Sequence, residues 1–154
     1  MAYQWANPEK TMIVLDGNTF IPANPENRDF AVLDLATVAD YVAPVPTIAD
    51  QAATALAAGL AITSTATPAL DGIYAIDQTS QFKMLAQVVA LMKNGTFTNG
   101  TTTILWPDTS GNGHAFDPVS FGNFATACGV YANELTVIIN NNAGTLPANS
   151  VTIP

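Results

Sequence analysis

Few residues in this chain are of types and spacings that could do chemistry, and they are scattered. The run Asp108-Thr109-Ser110-Gly111-Asn112-Gly113 puts oxygen-bearing side chains at alternate positions and glycine sixth, the outline of half a calcium loop. Its twelfth position is Val119, where such a loop carries a bidentate glutamate. The segment therefore reads as a glycine-rich turn between two strands. His114 is the only histidine, so a metal site built on it would take nearly all its ligands from carboxylates. A Ser-His-Asp set would have to draw on His114, but no G-x-S-x-G, H-E-x-x-H, Walker or G-x-G-x-x-G motif selects partners for it. Cys128 is the only cysteine and excludes an intrachain disulfide; it falls on the apolar face of a predicted helix and reads as a core residue. Asp77 and Asp117 each stand just before a helical pattern, where a carboxylate caps free N–H groups. The residues predict no catalytic set, no cofactor and no metal, and a protein that is not an enzyme.

The elements that position these residues form two similar units between Gly72 and Leu135, each a hairpin followed by a helix. In the first, Leu60–Thr65 and Ile73–Ile76 flank the turn Pro68-Ala69-Leu70-Asp71-Gly72, and Asp77 caps a helix over 78–93. Phe82, Leu85, Val88, Val89 and Met92 give that helix its period. In the second, Thr101–Trp106 and the strand around Gly113–Phe116 enclose the turn, and Phe116-Asp117-Pro118 opens a helix over 118–135 patterned by Phe121, Phe124, Cys128, Tyr131 and Leu135. Both patterns read as core faces, so Phe82→Ala and Phe124→Ala are each expected to cost roughly 3–5 kcal/mol.

Residues 1–22 read as a β ribbon around the Asp16-Gly17 turn, with Trp5 and Phe20 resting on a helix or another subunit. Asn24-Pro25-Glu26 predicts a helix to about Val42, and Ala43-Pro44-Val45-Pro46 a stiff linker. Thr47, with Asp50 three residues on, starts an alanine-rich helix ended by Gly59, whose small side chains suit close packing on a neighbour. Val137-Ile138-Ile139 either prolongs the last helix or forms a strand, and Asn140–Pro154 reads as an extended arm. The fold class is α+β: a small, mostly antiparallel sheet packed by helices, with a duplicated β-β-α unit. Three regions follow, 1–46 for attachment, 47–139 for the central domain and 140–154 for the arm.

Composition narrows the function classes. The chain has 154 residues, 49% of them hydrophobic, with a mean hydropathy of +0.25, which fits a packed domain. Only 10% are charged, against roughly 25% in an average soluble domain; low charge with many small residues suits subunits buried in an assembly, and equally an extracellular or periplasmic protein with a neutral polar surface. Twelve acids face four scattered bases, Lys10, Arg28, Lys83 and Lys93, for a net charge of −8. Nucleic acid and anionic membrane surfaces need clustered bases and are not expected partners. The longest apolar run, Ala52–Ile62, is about half a bilayer span, and the N-terminal residues show no basic region leading into an apolar block, so neither membrane insertion nor an export signal is predicted.

A resemblance adds to this. Phe20-Ile21-Pro22-Ala23-Asn24-Pro25-Glu26-Asn27-Arg28-Asp29-Phe30 resembles an I-P-x-x-P-x-N-R-D-Y/F segment near the start of many bacteriophage and prophage tail proteins. Ile76-Asp77-Gln78-Thr79-Ser80-Gln81-Phe82-Lys83-Met84, with Trp106-Pro107-Asp108 and the helix after it, is similar to a domain of unknown function common in phage tail and fibre-associated proteins. Ala61–Gly72 looks like prophage sequence of the same kind. The likeness covers Phe20 to about Leu135 through short motifs; the Thr/Asn-rich loop after the middle helix departs from it, and the tail beyond Leu135 is unmatched. It implies a virion component of the tail, baseplate or fibre that works by binding other phage structural proteins in a homo- or hetero-oligomer, assembled in the host cytoplasm. A fibre assembly factor that stays in the cytoplasm is the alternative it leaves open. The family carries no catalytic residues to transfer.

Overall fold

The computed structural model describes residues 2–154. The chain divides into two compact units, Met1–Val45 and Pro46–Pro154.

In the first unit, β1 (Tyr3–Trp5), β2 (Met12–Leu15) and β3 (Thr19–Pro22) form an antiparallel meander in that order. Asp16 and Gly17 both take positive φ in the turn between β2 and β3, as an Asp-Gly hairpin requires. Trp5, Ile13, Ile21 and Val38 make its core, with Tyr3, Phe30, Leu33 and Tyr41 packed around them. Alternation along β3 turns Ile21 inward, so Phe20, expected on a neighbouring element, is exposed.

The long helix expected to run to Val42 is absent. The Asn24 side chain accepts only from Glu26 N–H, and Asn27 is the cap, its side chain accepting from the N–H groups of Asp29 and Phe30. The helix it opens, α1 (Arg28–Ala31), is a single turn. Asp34 then accepts from Ala36 N–H and draws the chain into a 3₁₀ turn over Leu35–Thr37. These short Asn and Asp side chains offer the backbone local bonds that compete with a helix, and Val38 gains more from burial against the ribbon. Ala39 completes the break by pairing with β1: its N–H donates to Tyr3 C=O, and its own C=O accepts from Trp5 N–H.

The second unit opens with α2 (Ile48–Ala58), whose capping box joins Thr47 and Asp50 as the spacing predicts. Ala52, buried, and Ala49 and Ala55, half-buried, lie on a helix that packs against the long α4 (Pro118–Asn141) of the same unit, while Ala53, Ala57 and Ala58 are exposed. Gly59 turns the chain sharply into β4 (Leu60–Ser64), which pairs antiparallel with β5 (Gly72–Tyr74). After α3 (Gln78–Asn94), β6 (Ile104–Pro107) and β7 (Gly113–Phe116) form a separate antiparallel hairpin. The two β-β-α units are β4-β5-α3 and β6-β7-α4, and the fold is α+β. Strand β6 starts later than Thr101 because Asn99 accepts from the N–H and hydroxyl of Thr101, holding that threonine in a loop.

The C-terminal residues, expected as an extended arm, fold back. Asn142 and Gly144 take positive φ and turn the chain after α4. Strand β8 (Ser150–Ile153) then pairs with β4 in parallel, giving the sheet order β5-β4-β8. The intervening helices and hairpin supply the long crossover that a parallel pair needs. Ile153 is buried, and the exposed Thr152 hydroxyl lies 2.9 Å from that of Thr63. Val137-Ile138-Ile139 prolongs α4, with Ile138 buried.

The core lies around α4. Phe121, Phe124, Cys128, Tyr131 and Leu135 are all buried, as their spacing predicts. Phe124 stands 4.8 Å, ring centre to ring centre, from both Tyr74 and Phe116; Phe121 contacts Phe97 and Trp106 at 5.3 and 5.4 Å. Most of these ring pairs meet edge to face, the arrangement their quadrupoles favour.

Helix α3 departs most from expectation. Met84 is its buried residue, with Val88 and Leu91 half-buried against the core. Phe82, Leu85, Val89 and Met92, expected inside, are 62%, 57%, 52% and 83% exposed. The helix carries two apolar stripes at 3–4 spacing, 84-88-91 and 82-85-89-92, and only the first turns inward. Side chains at neighbouring α3 positions also share a groove with the small residues Ala125, Thr126 and Gly129 of α4.

Candidate functional site

Of the residues that suggest chemistry, Asp108 and His114 meet at one corner of the second unit, where the β6–β7 turn approaches β5. Asp108 follows β6, and its carboxylate is enclosed by its own turn. One oxygen accepts from the N–H groups of Ser110 and Asn112 at 2.9 and 2.8 Å, and the other from the Asn112 side-chain amide at 2.9 Å. Asn112 above all, through both its amides, lowers the Asp108 pKa to about 2. His114, on β7, places Nε2 3.4 Å from Asp108 and Nδ1 2.7 Å from the carbonyl oxygen of Ala69. Its ring lies against the edge of Tyr74, whose hydroxyl donates to Leu70 C=O at 2.7 Å. Burial pushes the Tyr74 phenol up, helped by the negative charges of Asp108 and Asp71.

This corner fastens two turns together. The donors of the Asp108–Gly113 loop point inward at a carboxylate, the opposite polarity from a calcium loop, which directs oxygens at a cation. His114 Nδ1 donates to the Ala69 carbonyl while Nε2 lies 3.4 Å from the Asp108 carboxylate, tying β7 to the turn before β5. Among the described residues, no group of three or more His, Cys, Asp or Glu side chains lies close enough to hold a metal ion. Cys128 sits wholly inside the core on α4, where burial pushes its thiol up to about 12, the reverse of a reactive cysteine.

Asp77 and Asp117 act as helix caps. Asp77 accepts from the N–H and hydroxyl of Ser80, and Asp117 from the N–H groups of Val119 and Ser120 and the Ser120 hydroxyl. These bonds favour the charged form and lower both pKa values, through the Ser80 N–H first at Asp77 and the Ser120 hydroxyl first at Asp117. A lowered folded-state pKa means that the unfolded chain takes up protons first as pH falls. The stabilisation is therefore present above the ordinary carboxylate range and is lost as pH drops through it. Thermal melts from pH 7 to pH 3 are expected to show a falling Tm for the native chain. A flatter decline is expected for the Asp77→Asn/Asp117→Asn double variant, which keeps capping acceptors without a titrating charge. Parallel declines in the two proteins would show that the caps do not set the acid limb.

A further feature with the dimensions of a binding site is the exposed side of α3. The groove between α3 and α4 encloses about 450 Å³ between Gln81, Met84, Leu85 and Val88 on one wall and Ala125, Thr126 and Gly129 on the other. A Cβ built on Gly129 would meet nothing within 4 Å, so that wall is open to an incoming side chain. Phe82 also lines the groove, and Leu85, Val89 and Met92 continue an exposed apolar stripe along α3. The only charges on α3 are Lys83 and Lys93, half the bases of a chain carrying net −8. Sequence periodicity marks all these residues as apolar and helical; their outward direction needs the position of Met84, Val88 and Leu91. No helix among the described residues is long and apolar enough to cross a membrane. No protein-family model, no curated protein and no solved structure matches the chain.

Proposed function

We propose that the chain is a non-enzymatic structural subunit of a bacteriophage virion, placed in the tail, baseplate or fibre, and that it works through protein–protein contacts. The observation that carries the contact role is the outer face of α3, where Phe82, Leu85, Val89 and Met92 stand in solvent together along one side of a single helix. Exposed apolar surface in one continuous strip costs solubility and is characteristic of a docking surface. The chemically suggestive residues support the same reading. Asp77 and Asp117 hold helices, Asp108 and His114 hold turns, and Cys128 fills the core. The virion assignment rests on the likeness of the segments 20–30, 61–72 and 76–84 to phage tail proteins, together with the low charge.

The test is mass spectrometry of purified particles. The subunit is expected at a fixed ratio to other tail proteins. Its presence in infected-cell lysate but absence from particles would overturn the virion reading and leave the cytoplasmic fibre-assembly factor.

A further inference from the structure

We propose that the outer face of α3 binds a second copy of this chain, as an antiparallel two-fold pair of α3 helices. The proposal rests on the contact role given to this face above and names its partner. Phe82, Leu85, Val89 and Met92 follow the alternating three- and four-residue spacing of a coiled-coil seam, the a, d, a and d positions of consecutive heptads. Most helices of globular proteins spend that spacing on their own core. Here the core takes Met84, Val88 and Leu91 instead, and the seam is left over, exposed, on a helix of 17 residues.

The seam is complementary to itself in one direction. When two copies of α3 run antiparallel about a two-fold axis level with Gln87, Phe82 of one faces Met92 of the other, and Leu85 faces Val89. Each layer then joins an a position to a d position and repeats under the two-fold, as an isologous contact requires. The Phe82–Met92 layer sets a thioether beside an aromatic ring, a favourable contact. The same register brings Lys93 alongside the first turn of the other α3, which opens on the Asp77 carboxylate. No acidic side chain lies on α3 itself, so the pairing juxtaposes no carboxylates from the two helices. Each negatively charged chain thus offers the face where its own charge is least repulsive.

Area sets the expected strength. The exposed parts of the four seam residues come to roughly 450 Å², taking about 150–250 Å² for a full large side chain. With the flanking Ala86 and Lys93 and the α4 wall of the groove, the contact comes to roughly 600–800 Å² per partner, the lower part of the range for specific dimers. A dissociation constant in the micromolar range is expected, since buried area of this size is partly offset by the cost of association.

The experiment is sedimentation equilibrium on the full chain across about 1–300 µM, the span in which such a constant shows. The native protein is expected to pass from monomer to dimer. Leu85→Glu, a change at an exposed site, is expected to remain monomeric at every concentration while keeping its melting temperature. Leu105→Glu, at an exposed apolar site on β6, a strand that contributes no residue to the groove, is expected to dimerise like the native chain. Orientation is read by disulfide trapping: an equimolar mixture of Leu85→Cys and Val89→Cys chains is expected to form the mixed cross-link, with Cys128 silent in the core. A monomer throughout the range, a trimer, or a dimer unaffected by Leu85→Glu would overturn the proposal. Cross-linking of Leu85→Cys with itself in preference to the mixture would overturn the antiparallel register. A monomer that is nevertheless found in particles would sink this inference alone and leave the virion reading standing.

Discussion

Replacing Phe124 by alanine is expected to lower the unfolding free energy by roughly 3–5 kcal/mol, while the same change at Phe82 leaves it within about 0.5 kcal/mol. Phe124 is wholly buried and touches the rings of Tyr74, Phe116 and Phe121 at 4.8, 4.8 and 5.6 Å, with Trp106 slightly farther. Its removal leaves a cavity walled by rigid rings and by α4 itself, which cannot collapse to fill it, and forfeits several edge-to-face contacts. Phe82 already has most of its surface in water, so truncation takes away little that folding had buried. Urea unfolding of the two variants at a concentration where the chain is monomeric measures both values. Equal losses would mean that Phe82 is packed after all and that the contact role of α3 is misassigned.

The second large effect is expected at Gly59, where alanine should cost roughly 3 kcal/mol or more. The residue ends α2 with φ +88° and ψ −173°, a region essentially closed to side-chain-bearing residues. An alanine Cβ there would also lie 2.5 Å from the carbonyl oxygen of Tyr74, and backbone cannot swing aside as a side-chain tip could. Relief requires parting β4 from β5, since Leu60 pairs with Tyr74 directly after the turn. Gly95 supplies the comparison. It also has positive φ, at +70°, but an added Cβ meets nothing within 4 Å. Gly95→Ala is expected to cost only about 1 kcal/mol, the left-handed penalty alone. Denaturant midpoints for the two variants separate steric clash from backbone strain; similar values would remove the clash from the explanation.

Local chemistry made parts of this fold legible from sequence. Asp117-Pro118 marked the start of α4, Thr47 and Asp50 that of α2, and Asp16-Gly17 the ribbon turn, because each signal acts within four residues of itself. The burial of Phe121, Phe124, Cys128, Tyr131 and Leu135 was equally readable, since the second unit places that one face of α4 against the sheet and hairpin. Helix α3 was not. Its two stripes are both apolar and both helical in period, and nothing within 78–94 says which one meets α4. The choice is settled by tertiary packing, which takes Met84, Val88 and Leu91 into the core of the second unit. The tail failed for a related reason. Ser150–Ile153 finds its place only beside β4, almost ninety residues earlier, and parallel pairing leaves no turn signal to announce it. In the N-terminal unit, the local bonds of Asn27 and Asp34 compete with the long helix expected from Asn24, and Val38 and Ala39 join the ribbon instead of extending it.

For the candidate site, the residue types misdirected and the geometry corrected. Asp108, His114 and Cys128 attract attention because such groups do chemistry elsewhere, and each is here saturated or enclosed. The α3 face drew none because Phe, Leu, Val and Met at helical spacing normally signify core. What distinguishes it is direction alone.

The central claim is that this chain works by contacts made through that face. It is tested most directly by mass spectrometry of particles assembled with the Leu85→Glu protein in place of the native one. The variant is expected to accumulate in folded form in the host cell and to be depleted at least tenfold from particles relative to their tail proteins. Incorporation at the native ratio would contradict it.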